Sequence, residues 1–71
     1  MKVKGYRIEI EPLSEEDGGG YLATVPELPG CASDGQTRDE AIEGIGEAIE
    51  SWIAMAHKLG RTVPAPQRAY A

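Results

Sequence analysis

The chain has 71 residues, twelve acidic against seven basic side chains, one cysteine and one histidine, for a formal net charge of −5. A single domain of this size buries only about 60% of the surface its unfolded chain exposes. With Cys31 and His57 alone it has neither an internal disulfide nor the four ligands of a structural zinc site, which leaves association with itself or another protein as the staple. The acidic balance disfavours direct nucleic-acid binding, which needs clustered Lys and Arg, and no run approaches the roughly 20 apolar residues that span a bilayer.

Met1-Lys2-Val3-Lys4 leads into alternating residues and not an apolar run, so no signal peptide is expected, and the lone thiol fits a cytoplasmic location. Val3 to Glu11 reads as a strand, with Tyr6, Ile8 and Ile10 on one face and Gly5, Arg7, Glu9 and Glu11 on the other. Pro12 ends it. Ser14 to Gly20 is polar and glycine-rich and reads as an exposed hairpin loop. Tyr21 to Val25 is a second strand whose two faces are too alike for the pattern to say which one is buried. Pro26, Pro29 and Gly30 turn the chain. Cys31 to Ser33 is a short third strand, and Asp34-Gly35 the turn after it.

Thr37 opens one long helix. Thr37 as N-cap with Glu40 three residues on is a capping box, and Asp39 adds negative charge where the helix dipole favours it. The helix is expected to reach about Leu59, stopped by Gly60. Ala41, Ile45, Ala48, Ile49, Trp52, Ala56 and Leu59 form one stripe, widened by Ile42, Ile53 and Met55 to an arc of roughly 160° that lies flat on a sheet. Thr62-Val63 is expected to add a very short edge strand. The fold class is therefore α+β: a small antiparallel sheet of three strands plus that edge strand, in the order β-β-β-α-β. One long helix covers one face, and the first strand lies centrally. A parallel return through the helix would be right-handed. The other face is open or buried in an oligomer.

Few residues in this pattern offer chemistry. Glu40, Glu43, Glu47 and Glu50 recur on the polar face of the helix, where like charges three and four apart cost a few tenths of a kcal/mol each. Such a ridge suits a basic partner, and it is also an ordinary solvated face. Glu9, Glu11 and Asp34 are the carboxylates from which a minimal metal-dependent hydrolase would be built, and their spacing does not say whether they converge. Cys31 lacks a neighbouring base and reads as a small buried hydrophobe, while His57 reads as a surface residue near the helix C-terminus. Gly18-Gly19-Gly20 has no following Lys-Ser/Thr and is not a phosphate loop. Trp52 is read as core, and Gly44 and Gly46 as places where another backbone comes close or where a weak helix former is tolerated.

Tyr6-Arg7-Ile8-Glu9-Ile10-Glu11, the loop Glu16-Asp17-Gly18-Gly19-Gly20-Tyr21, the corner Val25-Pro26-Glu27-Leu28-Pro29-Gly30-Cys31 and the stretch Gly35 to Ala41 together resemble the HicB-like antitoxin family, with Ala48 to Trp52 and Val63 to Pro66 agreeing. The resemblance covers nearly the whole chain, and the proline corner followed by the capped helix is its most specific part. It implies a partial RNase H-like fold that lacks a full set of nuclease carboxylates, with no catalysis, cofactor or metal; chain length makes residues 1–66 a single domain, and the tail over 67–71 has too few core residues to order itself. The resemblance implies a partner as well: a small, basic HicA-like toxin, an mRNA-cleaving ribonuclease that the antitoxin masks. The expected contact residues are Glu40, Glu43, Glu47 and Glu50 on the helix and Pro26, Glu27, Leu28 and Pro29 at the corner, with the exposed sheet edge as a further masking surface, in an assembly that is a homodimer or higher; the alternatives are the minimal hydrolase and an orphan domain of the same fold that binds some other protein. Many family members carry a C-terminal DNA-binding segment, for which the stretch after Gly60 is too short.

Overall fold

The computed structural model describes residues 1–64. Five short strands precede one helix: β1 (Lys2–Val3), β2 (Tyr6–Arg7), β3 (Glu9–Pro12), β4 (Tyr21–Thr24), β5 (Ala32–Gly35) and α1 (Arg38–Lys58). β1 and β2 form a two-stranded antiparallel hairpin, and β3, β4 and β5 form a three-stranded antiparallel sheet in that spatial order.

The expected first strand is thus three elements, β1, β2 and β3, shared between the two sheets. Lys4 and Gly5 both take positive φ, at 52° and 88°, the pair of values that a two-residue type I′ hairpin turn requires. The turn folds Lys2–Val3 back on Tyr6–Arg7, and the Ile8 N–H donates to the Met1 carbonyl at 2.9 Å. The alternation beyond it holds: Tyr6 and Ile8 are buried, Ile10 is half-buried, and Arg7, Glu9 and Glu11 are exposed.

β4, not the first strand, is central. Two consecutive short connections each lay the next strand beside the last, which makes a meander with its middle strand inside. The loop between β3 and β4 is a 3-10 turn over Glu15–Asp17, capped by Ser14. Ala23 and Val25 point inward with Tyr21 beside them, so that face of β4 meets the helix.

α1 has the expected start. The Thr37 side chain accepts from the Glu40 N–H, and the Glu40 carboxylate accepts from the Thr37 N–H. Its end is a Schellman motif, with Arg61 N–H donating to the Ala56 carbonyl and Gly60 N–H to that of His57. Ala41, Ile45, Ile49 and Ala56 are its buried residues. The core that they close contains Tyr6, Ile8, Ala23, Val25, Leu28 and Cys31. Two glycines set how closely α1 approaches β5. A Cβ on Gly35 would meet the backbone of Glu40 and Ala41, and one on Gly44 would collide with the Ser33 side chain.

No edge strand forms at Thr62–Val63. Pro64 has no N–H to give a ladder, and the segment is held another way: the buried Tyr6 hydroxyl donates to the Pro64 carbonyl at 2.6 Å. The tail expected over residues 67–71 lies outside the described residues.

Candidate protein-interaction surface

The proline corner is two β-turns in succession. In the first, Val25 C=O accepts from Leu28 N–H at 3.1 Å across Pro26-Glu27; in the second, Leu28 C=O accepts from Cys31 N–H at 2.9 Å across Pro29-Gly30. Proline stands at the second position of each, where its fixed φ is already correct. Gly30 at φ 82° supplies the left-handed residue of a type II turn. The corner is pinned from both sides. The Trp52 indole Nε1–H donates to the Pro29 carbonyl at 2.8 Å, and the Arg7 N–H donates to the Glu27 carboxylate at 3.2 Å.

Pro26 and Pro29 are exposed and Glu27 is half-buried, but Leu28 has no exposed surface at all. Its side chain anchors the corner in the core, so Leu28 is withdrawn from any contact surface there. Its setting between two prolines reads as a loop, and only the double turn, which reverses the chain twice, points this one side chain inward.

The four glutamates of α1 all face solvent but are not equivalent. Glu40 is committed to the helix start, accepting from the Gln36 and Thr37 N–H groups at 2.8 and 3.2 Å. Glu50 pairs with Lys4 Nζ at 3.2 Å, an exposed ion pair of small energetic weight. Among the described residues Glu43 and Glu47 have no cationic partner. They are four residues apart, on adjacent turns of one face.

Among the described residues no element covers the face of the sheet away from α1. Register puts Glu9, Thr24 and Ala32 in one row across it and Glu11, Leu22 and Asp34 in the next. The three carboxylates named in the hydrolase alternative therefore share a face without converging. Glu11 and Asp34 flank Leu22 at two strand spacings, roughly 10 Å, and among the described residues no three His, Cys, Asp or Glu are grouped to hold a metal ion. Cys31 is buried in the core, and burial pushes its thiol pKa up from the ordinary 9.0. That makes it a poor nucleophile. His57 is exposed near the far end of α1.

One surface feature has only a faint sequence signal. Pro29, Trp52, Met55, Ala56, Leu59, Arg61, Thr62 and Pro64 line an open groove at the C-terminal end of α1. Met55 and Leu59 in it are 54% and 58% exposed. A helix of 21 residues is roughly 31 Å long, whereas four-residue strands span roughly 13 Å, so the last turns run past the sheet. Comparing predicted element lengths would have shown the overhang. No described helix is long and apolar enough to cross a membrane.

A family model described as the HicB-like antitoxin of bacterial toxin–antitoxin systems matches residues 6–70. A UPF0150 protein of Thermoplasma acidophilum is 36% identical over 52 residues, 73% of this chain and 75% of that protein. The protein named antitoxin HicB 1 of Photorhabdus laumondii is 29% identical over 66 residues, 93% of this chain but 41% of that one. Among the UPF0150 relatives the chain spans between 52% and 77% of their length. The crystal structure of TTHA0281 from Thermus thermophilus superposes with a TM-score of 0.72 at 26% identity, covering 84% of this chain and 72% of that one.

Proposed function

Because the chain belongs to the HicB-like antitoxin family, we propose that it neutralises a HicA-type, mRNA-cleaving ribonuclease toxin by masking it. The observation that carries the antitoxin role is the family match, which takes in every element from Tyr6 to the end of α1. The contact geometry follows from charge. Glu43 and Glu47 form the part of the acidic ridge that no lysine or arginine among the described residues offsets, and a basic nuclease is the partner that such a ridge attracts and orients. Pro26, Glu27 and Pro29 form a second, rigid contact, held in shape by Trp52 and Arg7 before any partner arrives. The fold works as a binding surface and not as a catalyst, as a single domain over residues 1–66 in the cytoplasm, and it associates with itself as a homodimer or higher.

The test is co-expression with a candidate toxin. The wild-type chain co-purifies with it and suppresses RNA cleavage. The double substitution Glu43→Lys with Glu47→Lys weakens the complex about tenfold at low ionic strength and less at high salt. An unchanged, salt-independent affinity removes the ridge as the contact. A toxin that stays active with the intact chain bound removes the masking role.

A further inference from the structure

The chain contains two Asp-Gly pairs, Asp17-Gly18 and Asp34-Gly35, and no asparagine. Aspartate before glycine is chemically unstable, because no side chain shields the glycine nitrogen from the neighbouring carboxyl. That nitrogen attacks Cγ of the protonated carboxyl. A C–N bond forms, the N–H proton leaves with the carboxyl hydroxyl as water, and a cyclic imide closes. A second water then opens the imide. Attack at the side-chain carbonyl restores aspartate. Attack at the former backbone carbonyl leaves the main chain running through Cγ, which is isoaspartate with a free α-carboxylate. Water is lost once and regained once, and nothing is oxidised or reduced.

The two pairs are alike in sequence and differ in setting. The reaction needs the glycine N–H released from its partner and the peptide turned toward the carboxyl. Gly35 lies in β5. Val25 N–H donates to the Cys31 carbonyl, so with the observed register Tyr21 and Gly35 are a hydrogen-bonded pair and the Gly35 N–H is spent on the ladder. The start of α1 packs on it as well, since a Cβ at Gly35 would meet Glu40 and Ala41. Freeing this peptide means parting β5 from β4 and from the helix. Gly18 is held far more lightly. Its N–H donates to the Glu15 carbonyl at 3.1 Å, in the 3-10 turn over Glu15–Asp17, which buries no residue. Asp17 and Gly18 are exposed, and a Cβ on Gly18 would meet nothing within 4 Å. A single surface turn opens more often than a strand packed beneath a helix.

We infer that Asp17 is a site of spontaneous isoaspartate formation in this protein, and that the fold spares Asp34. Opening of the turn sets the rate, and Ser14 is the brake on it. The Ser14 hydroxyl donates to Asp17 Oδ2 at 3.0 Å and accepts from the Asp17 N–H at 3.3 Å, so it holds both the attacked carboxyl and the turn around it. The product adds one methylene to the main chain between β3 and β4. Its effect stays within the loop, whose base is tied by the Leu13 N–H donating to the Gly20 carbonyl at 2.8 Å.

The experiment ages the folded full chain at neutral pH in water enriched in heavy oxygen, beside a urea-unfolded sample. Peptide mapping with electron-transfer fragmentation then locates the incorporated oxygen and separates isoaspartate from aspartate. The unfolded chain takes up label at both Asp17 and Asp34. The folded chain takes it up at Asp17 at least about tenfold faster than at Asp34. Ser14→Ala, which removes the cap of the turn, speeds labelling at Asp17 about fivefold and leaves Asp34 unchanged. Equal labelling of the two aspartates in the folded chain overturns the selection. No label at Asp17 over a time in which the unfolded chain is labelled there overturns the site. An unchanged rate in Ser14→Ala overturns opening of the turn as the controlling step.

Discussion

The two halves of α1 carry the same apolar pattern and end in different environments. In the first half, Ala41, Ile45 and Ile49 are wholly buried against β4 and β5. In the second half only the small Ala56 is buried, Trp52 is half-buried, and Met55 and Leu59 are more than half exposed. The stripe does not change; the sheet beneath it stops. A hydrophobic periodicity therefore states which side of a helix is apolar, and the length of the facing element decides how much of that side becomes core and how much becomes contact surface. The first half holds the fold together, and the second offers an apolar groove beside the proline corner.

The comparison is broken most directly by truncating one side chain in each half. Ile45→Ala removes a fully buried group and lowers stability by about 3 kcal/mol in urea unfolding, whereas Leu59→Ala changes it by less than about 0.5 kcal/mol. Equal losses would show that the two halves are packed alike. The two helix glycines sharpen the contrast between the flanks of the first half. Gly46→Ala meets only Val3 and Lys4 at ordinary contact distances of 3.7 and 3.9 Å and stabilises by up to about 1 kcal/mol through helix propensity. Gly44→Ala collides with Ser33 and destabilises by about 1 kcal/mol, and Ser33→Gly in the same chain restores the loss. Thr37→Ala removes the N-cap acceptor and costs about 1 kcal/mol, seen as faster amide exchange in the first turn with little change near Ala56.

The smallest effect is that of pH on Cys31. Burial raises its folded-state pKa above the ordinary 9.0. Below that value the thiol is neutral in both states and stability is independent of it. As pH rises past it the unfolded chain ionises first, so stability falls until the folded-state value is passed. Thermal melts in Cys31→Ala lose this alkaline slope, while the midpoint at neutral pH shifts only by the cost of the small cavity.

Much of this was written locally. The Thr37–Glu40 box, the Gly60 stop and the Tyr6–Ile8–Ile10 alternation are each fixed by residues within a few positions of one another, and each appears as read. The Lys4-Gly5 hairpin was not legible, because lysine at positive φ is not a turn signal and the alternation runs across it unbroken. The central place of β4 was hidden for another reason: periodicity describes the face of a strand and is silent about its neighbours. The site was less legible than the fold. Four glutamates look alike in sequence, yet one caps the helix, one pairs with Lys4 and two face solvent with no cationic partner among the described residues. Leu28 looked like part of an exposed corner and is its buried root.

The hydrogen bond from Trp52 to Pro29 gives the chain a built-in optical probe. Trp52 is its sole tryptophan, so all indole emission originates where the corner meets the groove. A molecule settling over Pro29 dries that indole and moves its emission to shorter wavelength, and one that docks on the far side of the sheet leaves the spectrum alone. Titrations on unlabelled material thus tell which side of the protein has been occupied.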